Sequence, residues 1–393
     1  MLKRPLLAAA AILALLVPAA AASAQAWVPV WTASPTPDRK DGPPDAPLQF
    51  DNETVRQDIR LGASATALRF RISNELGAAP LRLGPASARL TGAPGPGRPV
   101  LFDGRAEVIV PPGAALVSDP VALAVPALGE VSFSLYVPEA TRPAVRRTPV
   151  RVATGTAAVP DDVRLTRRQN VVSAVYAERA EAPTVIVALG DSITEGATAT
   201  LGAHRDWPSV LAERFERACP GQVVVLNQGI SGNRLLDHGR SPSALARLDR
   251  DVLALPGVDH VILLAGINDI RHGGAPAMTP GRDAADMILG YRQVVARLRD
   301  HGIRVIAGTL TPFEGSERFE PVAEGTRQAL NAFIRDGGAF DGVIDFDAAV
   351  RDPTRPAAFA PGTARDDRLH PGDEGYRLMA EAVDLSLFGC TAP

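Results

Sequence analysis

Three features of the chain point to an α/β protein, a parallel sheet covered by helices on both faces, preceded by an all-β sandwich of jelly-roll type. After Pro183, apolar runs rich in β-branched residues at 184–189, 223–226, 261–264, 305–310 and 343–346 alternate with helical stretches. Continuous runs of that length are what strands buried on both faces require. Before residue 177, short segments alternate apolar and polar side chains between Pro and Gly punctuation, the period of half-buried antiparallel strands. The chain also has 393 residues, 46% of them hydrophobic, enough for two cores. The expected organisation is a leader at 1–26, a sandwich at 27–182 and an α/β domain at 183–393.

The leader comes first. Lys3 and Arg4 precede an apolar run from Leu6 to Val17, and Ala22-Ser23-Ala24 and Ala24-Gln25-Ala26 are small-x-small cleavage sites. This is the pattern of a secretory signal peptide cut after about Ala24 or Ala26, and it predicts a secreted or periplasmic protein. No later segment reaches the roughly 20 apolar residues of a spanning helix. Losing Lys3 and Arg4 takes the formal charge from -3 to -5, which offers nothing to a nucleic-acid backbone. The pairs Arg146-Arg147 and Arg167-Arg168 read as solvated surface.

In the β region, 68–72 alternates cleanly as Leu-Arg-Phe-Arg-Ile, and 55–61, 106–110, 131–137 and 170–176 are further candidate strands. The stretch 92–97 is Gly- and Pro-rich with no helix behind it, hence a loop and not a phosphate cradle. Residues 139–170 show no firm periodicity. In the α/β region, helices are expected at 207–218 and 326–336. A longer one starts with Thr279 as N-cap and Pro280 in its first turn, buries Met287, Ile288, Tyr291, Val294, Val295 and Leu298, and stops at Gly302.

The two cysteines, Cys219 and Cys390, lack metal-ligand spacing. In an oxidising compartment they favour a disulfide stapling the C-terminal tail to the helix ending near Cys219; the other reading is two buried, unpaired thiols. His204, His238, His260, His272 and His301 are scattered, with no His-Glu-x-x-His pattern, and no metal or cofactor is expected.

Chemistry is concentrated just past the predicted strands. The first run is cut off by Gly190, which delivers Asp191 and Ser192 to its carboxyl end, where open α/β sheets bind ligands. A serine on that turn can act as a nucleophile if a base takes its proton; the plainer reading is that Asp191 and Ser192 only cap the next helix. The Gly-x-Ser-x-Gly elbow is absent, because position 194 is Thr. Downstream lie Asn227-Gln228-Gly229-Ile230-Ser231-Gly232-Asn233, then Ala265-Gly266-Ile267-Asn268-Asp269, then Asp367-Arg368-Leu369-His370-Pro371. The backbone N–H groups of Ser192 and Gly232 and the Asn268 amide can donate to an oxyanion. His370 can serve as general base, oriented by Asp367, while Asp191 supports the Ser192 turn through backbone hydrogen bonds. Gly232 as a mere turn residue and Asn268-Asp269 as a helix cap are the bland alternatives.

These four stretches, in this order, resemble the blocks of the SGNH/GDSL hydrolase superfamily, over about residues 183–388. The matching residues are Ser192, Gly232, Asn268, His370 and Asp367. The segments 30–34, 233–236 and 309–313 also resemble secreted lysophospholipase-like members with an N-terminal β domain. Ile267 departs from the common Gly-Gly-Asn-Asp block and narrows the wall beside Asn268. The resemblance implies a flavodoxin-like three-layer α/β/α domain and a serine esterase working through an acyl-enzyme. It further implies a small acyl substrate, an acetyl ester on carbohydrate. A lysophospholipase or arylesterase, and a glycan-binding protein on an inactive hydrolase scaffold, are the competing expectations. Oligomeric state is not legible.

Overall fold

A computed structural model of the chain describes residues 26–37, 49–271 and 282–391. The leader before Ala26, the Thr279-Pro280 pair and His272 lie outside the described residues. The first half is antiparallel throughout, with strands β1 (Ala26–Thr32), β2 (Glu53–Arg60), β3 (Ala65–Ser73), β4 (Leu81–Leu83), β5 (Ala86–Leu90), β6 (Arg98–Val100), β7 (Val108–Val110), β8 (Ala115–Val117), β9 (Val121–Val125), β10 (Glu130–Val137), β11 (Val145–Thr154), β12 (Thr166–Asn170) and β13 (Val172–Arg179). One sheet runs β1-β13-β3-β8, with β9 also on β3; a second runs β12-β11-β2-β10-β5-β6, and β4 pairs with β7 in a two-stranded sheet. Alternate side chains of each turn into a shared core, where the Phe70 ring of β3 stacks on Phe133 of β10 at 4.7 Å.

The unreadable stretch 139–170 contains β11 and β12. Their pairing slips at a bulge between Val145 and Arg147, and Pro149 interrupts the pattern. A bulge shifts the apolar positions by one, which erases the period of two.

The second half is a parallel sheet of β14 (Thr184–Gly190), β15 (Val223–Gly229), β16 (Val258–Leu264), β17 (Arg304–Gly308) and β18 (Gly342–Ile344), in the order β15-β14-β16-β17-β18. That order, with the first strand between the second and third, is the flavodoxin-like one. Its helices are α1 (Ser192–Glu195), α2 (Trp207–Ala218), α3 (Ile267–Ile270), α4 (Ala284–Arg299), α5 (Pro321–Asp336), α6 (Phe346–Val350) and α7 (Asp373–Glu381). Helix α2 packs with α7, and α4 with α5. Trp207, fully buried against Phe346, belongs to this core.

The α4 boundary corrects an expectation. The helix is capped by Asp283, whose carboxylate accepts the Asp286 N–H at 2.9 Å. Asp283 is as sound a start signal in the sequence as Thr279-Pro280, since both offer a capping side chain. The predicted face is buried at Met287, Tyr291, Val294, Val295 and Leu298, while Ile288 is only half-buried. Helix α5, by contrast, starts earlier than residue 326, at Pro321.

Two seams tie the chain together. β1 lies against β15, and a Cys219–Cys390 disulfide joins the end of α2 to the tail. Among the described residues, no helix is long and apolar enough to cross a membrane.

Candidate active site

Parallel register brings the chemistry-bearing loops together. Gly190 pairs with Gly229 on one side and Leu264 on the other, so the loops after β14, β15 and β16 leave the same edge of the sheet side by side. Gly190 is glycine for lack of room: a Cβ there would lie 2.2 Å from the Thr194 hydroxyl and 2.4 Å from the Leu264 carbonyl oxygen. Asp191 caps the single turn α1 by accepting the Ile193 N–H at 2.9 Å, and Gly196, at φ 75°, ends it. Burial pushes the Asp191 carboxyl up to about 6.

Ser192 is the first residue of that turn, and its Oγ lies 2.8 Å from Nε2 of His370. The other ring nitrogen, Nδ1, lies 2.6 Å from Oδ2 of Asp367. The remaining oxygen of Asp367, Oδ1, accepts the backbone N–H groups of Leu369 and His370, both at 3.0 Å. Burial works to raise the Asp367 pKa, but the His370 ring and these N–H groups outweigh it and hold the carboxyl well below the usual range. An ionised carboxylate only accepts, so the imidazole proton sits on Nδ1 and Nε2 is left to accept from the Ser192 hydroxyl. Of the adjacent pair Asp366 and Asp367, it is Asp367 that meets the ring. Thr198, three residues beyond α1, donates to the Pro371 carbonyl at 2.9 Å and so ties the Ser192 loop to the His370 loop.

Gly232, at φ 76°, turns the loop after β15, a conformation that favours glycine. The Asn268 amide donates to the Asn233 carbonyl at 3.1 Å, which uses one of its two hydrogens and leaves the other. Asp269 does not cap a helix; its two oxygens accept the Leu235 and Leu236 N–H groups at 2.8 and 3.1 Å, and burial pushes it up to about 6. The loop carrying Gly232 is thus clamped from one side by Asn268 and Asp269. From the other side, the Ile230 N–H donates to the Gly190 carbonyl at 3.1 Å and the Ser231 N–H donates to Glu195. Glu195 escaped the sequence reading although it stands three residues after Ser192, because a carboxylate in such a turn carries no signature of what it holds.

Among the described residues, three further histidines have partners or surroundings of their own. His204 pairs with Glu130 at 2.6 Å, and Nδ1 of His238 accepts the Ser243 N–H. His260 is buried on β16, where desolvation lowers its pKa. Among the described residues, no group of three or more His, Cys, Asp or Glu could hold a metal ion.

Residues 188–378 match the family model described as the GDSL-like lipase/acylhydrolase family. The chain carries a GDSL-like acylhydrolase domain. That domain makes it a carboxylic ester hydrolase. Solved structures similar to the chain include an acetylxylan esterase from Geobacillus stearothermophilus, 24% identical, covering 52% of this chain and 94% of that one at a TM-score of 0.41. A GDSL-like lipase from Bacteroides thetaiotaomicron is 21% identical over 53% of this chain and 89% of its own, at a TM-score of 0.40. Comparison with curated proteins gives no match.

Proposed function

We propose that the chain is an exported serine esterase in which Ser192, His370 and Asp367 form the triad and the Ser192 and Gly232 N–H groups and the Asn268 amide form the oxyanion hole. The observation that carries this reading is the Ser192–His370–Asp367 chain of contacts at 2.8 and 2.6 Å, at the carboxyl edge of the parallel sheet. His370 takes the Ser192 proton on Nε2 as Oγ attacks the ester carbonyl. The carbonyl oxygen becomes an oxyanion facing the three donors; as the tetrahedral centre collapses, His370 returns the proton to the leaving alkoxide. Water, deprotonated by His370, then attacks the acyl-enzyme, and the same proton path regenerates the Ser192 hydroxyl. Asp367, held ionised, stabilises the imidazolium at each step.

The substrate we propose is a small acyl ester, an acetyl group on a carbohydrate alcohol. Supporting it, the apolar side chains of the site loops, Ile193, Ile230, Leu235, Ile267, Ile270 and Leu369, are turned into the core. The Asp367 carboxylate, by contrast, is about half exposed, at 47%. A mouth built this way suits a polar alcohol better than a lipid chain. Export is supported by the leader pattern in the sequence and by the Cys219–Cys390 bond. We also propose that 27–182 and 183–393 are separate domains.

The test is hydrolysis of p-nitrophenyl acetate against the octanoate by purified protein, with Ser192→Ala alongside. Acetate preference that vanishes in the variant is the expected result. Octanoate preference would move the substrate to lipids, and equal rates in variant and parent would remove Ser192 from the mechanism.

A further inference from the structure

Behind the candidate oxyanion hole lies a fully buried cation that the mechanism above does not use. The Arg247 side chain has no exposed surface, and all three guanidinium nitrogens donate. Nη2 donates to the Gly190 carbonyl at 2.8 Å, immediately before the nucleophile turn. Nη1 donates to the Gln228 carbonyl at 2.8 Å, at the end of β15. Nε and Nη2 both donate to Oδ1 of Asn233, at 3.1 and 2.9 Å. Its counter-ion is Asp251, also buried, at 2.8 Å.

Asn233 is the residue through which this cation meets the reaction. Its amide nitrogen donates to the Ser241 hydroxyl and the Pro242 carbonyl, both at 2.8 Å, so both ends of the side chain are held. Its carbonyl accepts from Asn268, and it directly follows Gly232. The guanidinium is a rigid planar fork, so acceptors bound to it are fixed relative to one another. Here those acceptors belong to the nucleophile turn and to the loop carrying the oxyanion donors.

The hub is completed from the strand-rich half. Ser34, just past β1, accepts from Arg247 Nη1 at 3.1 Å and donates to the Gln228 side chain at 2.5 Å. The neighbouring Pro35 carbonyl accepts from Arg250, whose guanidinium also pairs with Asp251 at 2.6 Å. Ser34 is fully buried, so this contact is dry.

We propose that Arg247 is a positioning residue for the oxyanion donors, and that the antiparallel half contributes to catalysis by supplying Ser34 to hold it. The inference rests on the esterase reading of Ser192. It assigns the β half a role in the chemical step, reaching the reacting centre by the path Ser34, Arg247, Asn233, Asn268.

The experiment measures kcat, KM and Tm on p-nitrophenyl acetate for Ser34→Ala, Arg247→Lys and Asn268→Ala, and for Ser34→Ala combined with Asn268→Ala. An ammonium cannot reach all the acceptors of a guanidinium, so Arg247→Lys is expected to lower kcat about 100-fold. Ser34→Ala should lower kcat about 3- to 10-fold with KM changed less than about twofold, the pattern of an interaction expressed in the transition state. The decisive readout is non-additivity: Ser34→Ala should cost distinctly less in the Asn268→Ala background than in the parent. Strict additivity, or an effect of Ser34→Ala on Tm or KM with kcat untouched, overturns the proposal. If Arg247→Lys does not fold, the Ser34 cycle carries the test alone, since it removes one hydroxyl and no charge. A parent without Ser192-dependent turnover would instead overturn the esterase reading itself.

Discussion

The Ser192, His370 and Asp367 contacts are short and directional, so single substitutions there have sharp expected outcomes. Asn268→Ala removes one proposed oxyanion donor, and kcat should drop about 100- to 1,000-fold while KM stays close to the parent's, measured on p-nitrophenyl acetate. Asp191 offers a different readout. Burial raises its pKa from 3.8 to about 6, so between those values the folded protein binds more protons than the unfolded chain. Stability from this group is therefore fully present below about pH 4 and is lost as pH rises through about 6. Asn keeps an acceptor for the Ile193 N–H and has no charge to bury. Asp191→Asn should gain on the parent as pH rises from 4 to 7, by up to ~3 kcal/mol in denaturant unfolding at the two pH values. An unchanged difference at both pH values would show that Asp191 is not the group that titrates. Asp269, also at about 6, gives the variant a residual slope of the same sign.

Among the elements, the single turn α1 is the one whose placement matters most, and it is held by close backbone approach. A Cβ at Gly229 would lie 2.1 Å from the Glu195 nitrogen and 2.6 Å from its Cα, which are main-chain atoms that cannot swing aside. Gly229→Ala must therefore push α1 away from β15, and Ser192 with it. We expect Tm to fall and kcat to drop by about 100-fold, since a displacement near 1 Å is enough for such a loss. Retained kcat with a lowered Tm would mean that α1 and β15 move together. The blocks containing Gly190, Gly229 and Ser192 were recognisable in the sequence by their order past successive strands. Thr198 and Glu195 were not, because each acts on a partner 36 to 173 residues away in the chain, and spacing along one segment carries no trace of it.

Over the full chain, covalent and polar seams join parts that are distant in sequence. The Cys219–Cys390 bond spans 171 residues, and closing so long a loop restricts the unfolded ensemble strongly. Reduction, or replacement of both cysteines by alanine, should cost about 2–5 kcal/mol of stability, read as a lower Tm, with kcat near the parent's at 25 °C because the bond lies at the far end of α2 from the site loops. A Tm unmoved by reductant would mean the bond adds nothing to the folded state's advantage. The other seam, from Ser34 and Pro35 to Arg247 and Arg250, makes the antiparallel sheets part of the scaffold behind the site.

Apolar runs and their punctuation were enough to give the alternation of strands and helices after Pro183, the antiparallel character before it, and the four loops that bear the chemistry. These properties are local, because burial on one face or two dictates a period that is visible in a dozen residues. Contacts between loops depended on the folded chain: parallel register set Gly190 beside Gly229 and Leu264, and the Asp367 side chain turned to His370 where Asp366 did not. Local pattern also failed where geometry departs from the ideal, at the bulge that hid β11 and β12 and at the Asp283 cap. The Arg247 hub is the clearest case. Nothing local marks this arginine for burial, and it became the buried centre behind the site because acceptors of five residues, Ser34, Gly190, Gln228, Asn233 and Asp251, converge on its donors.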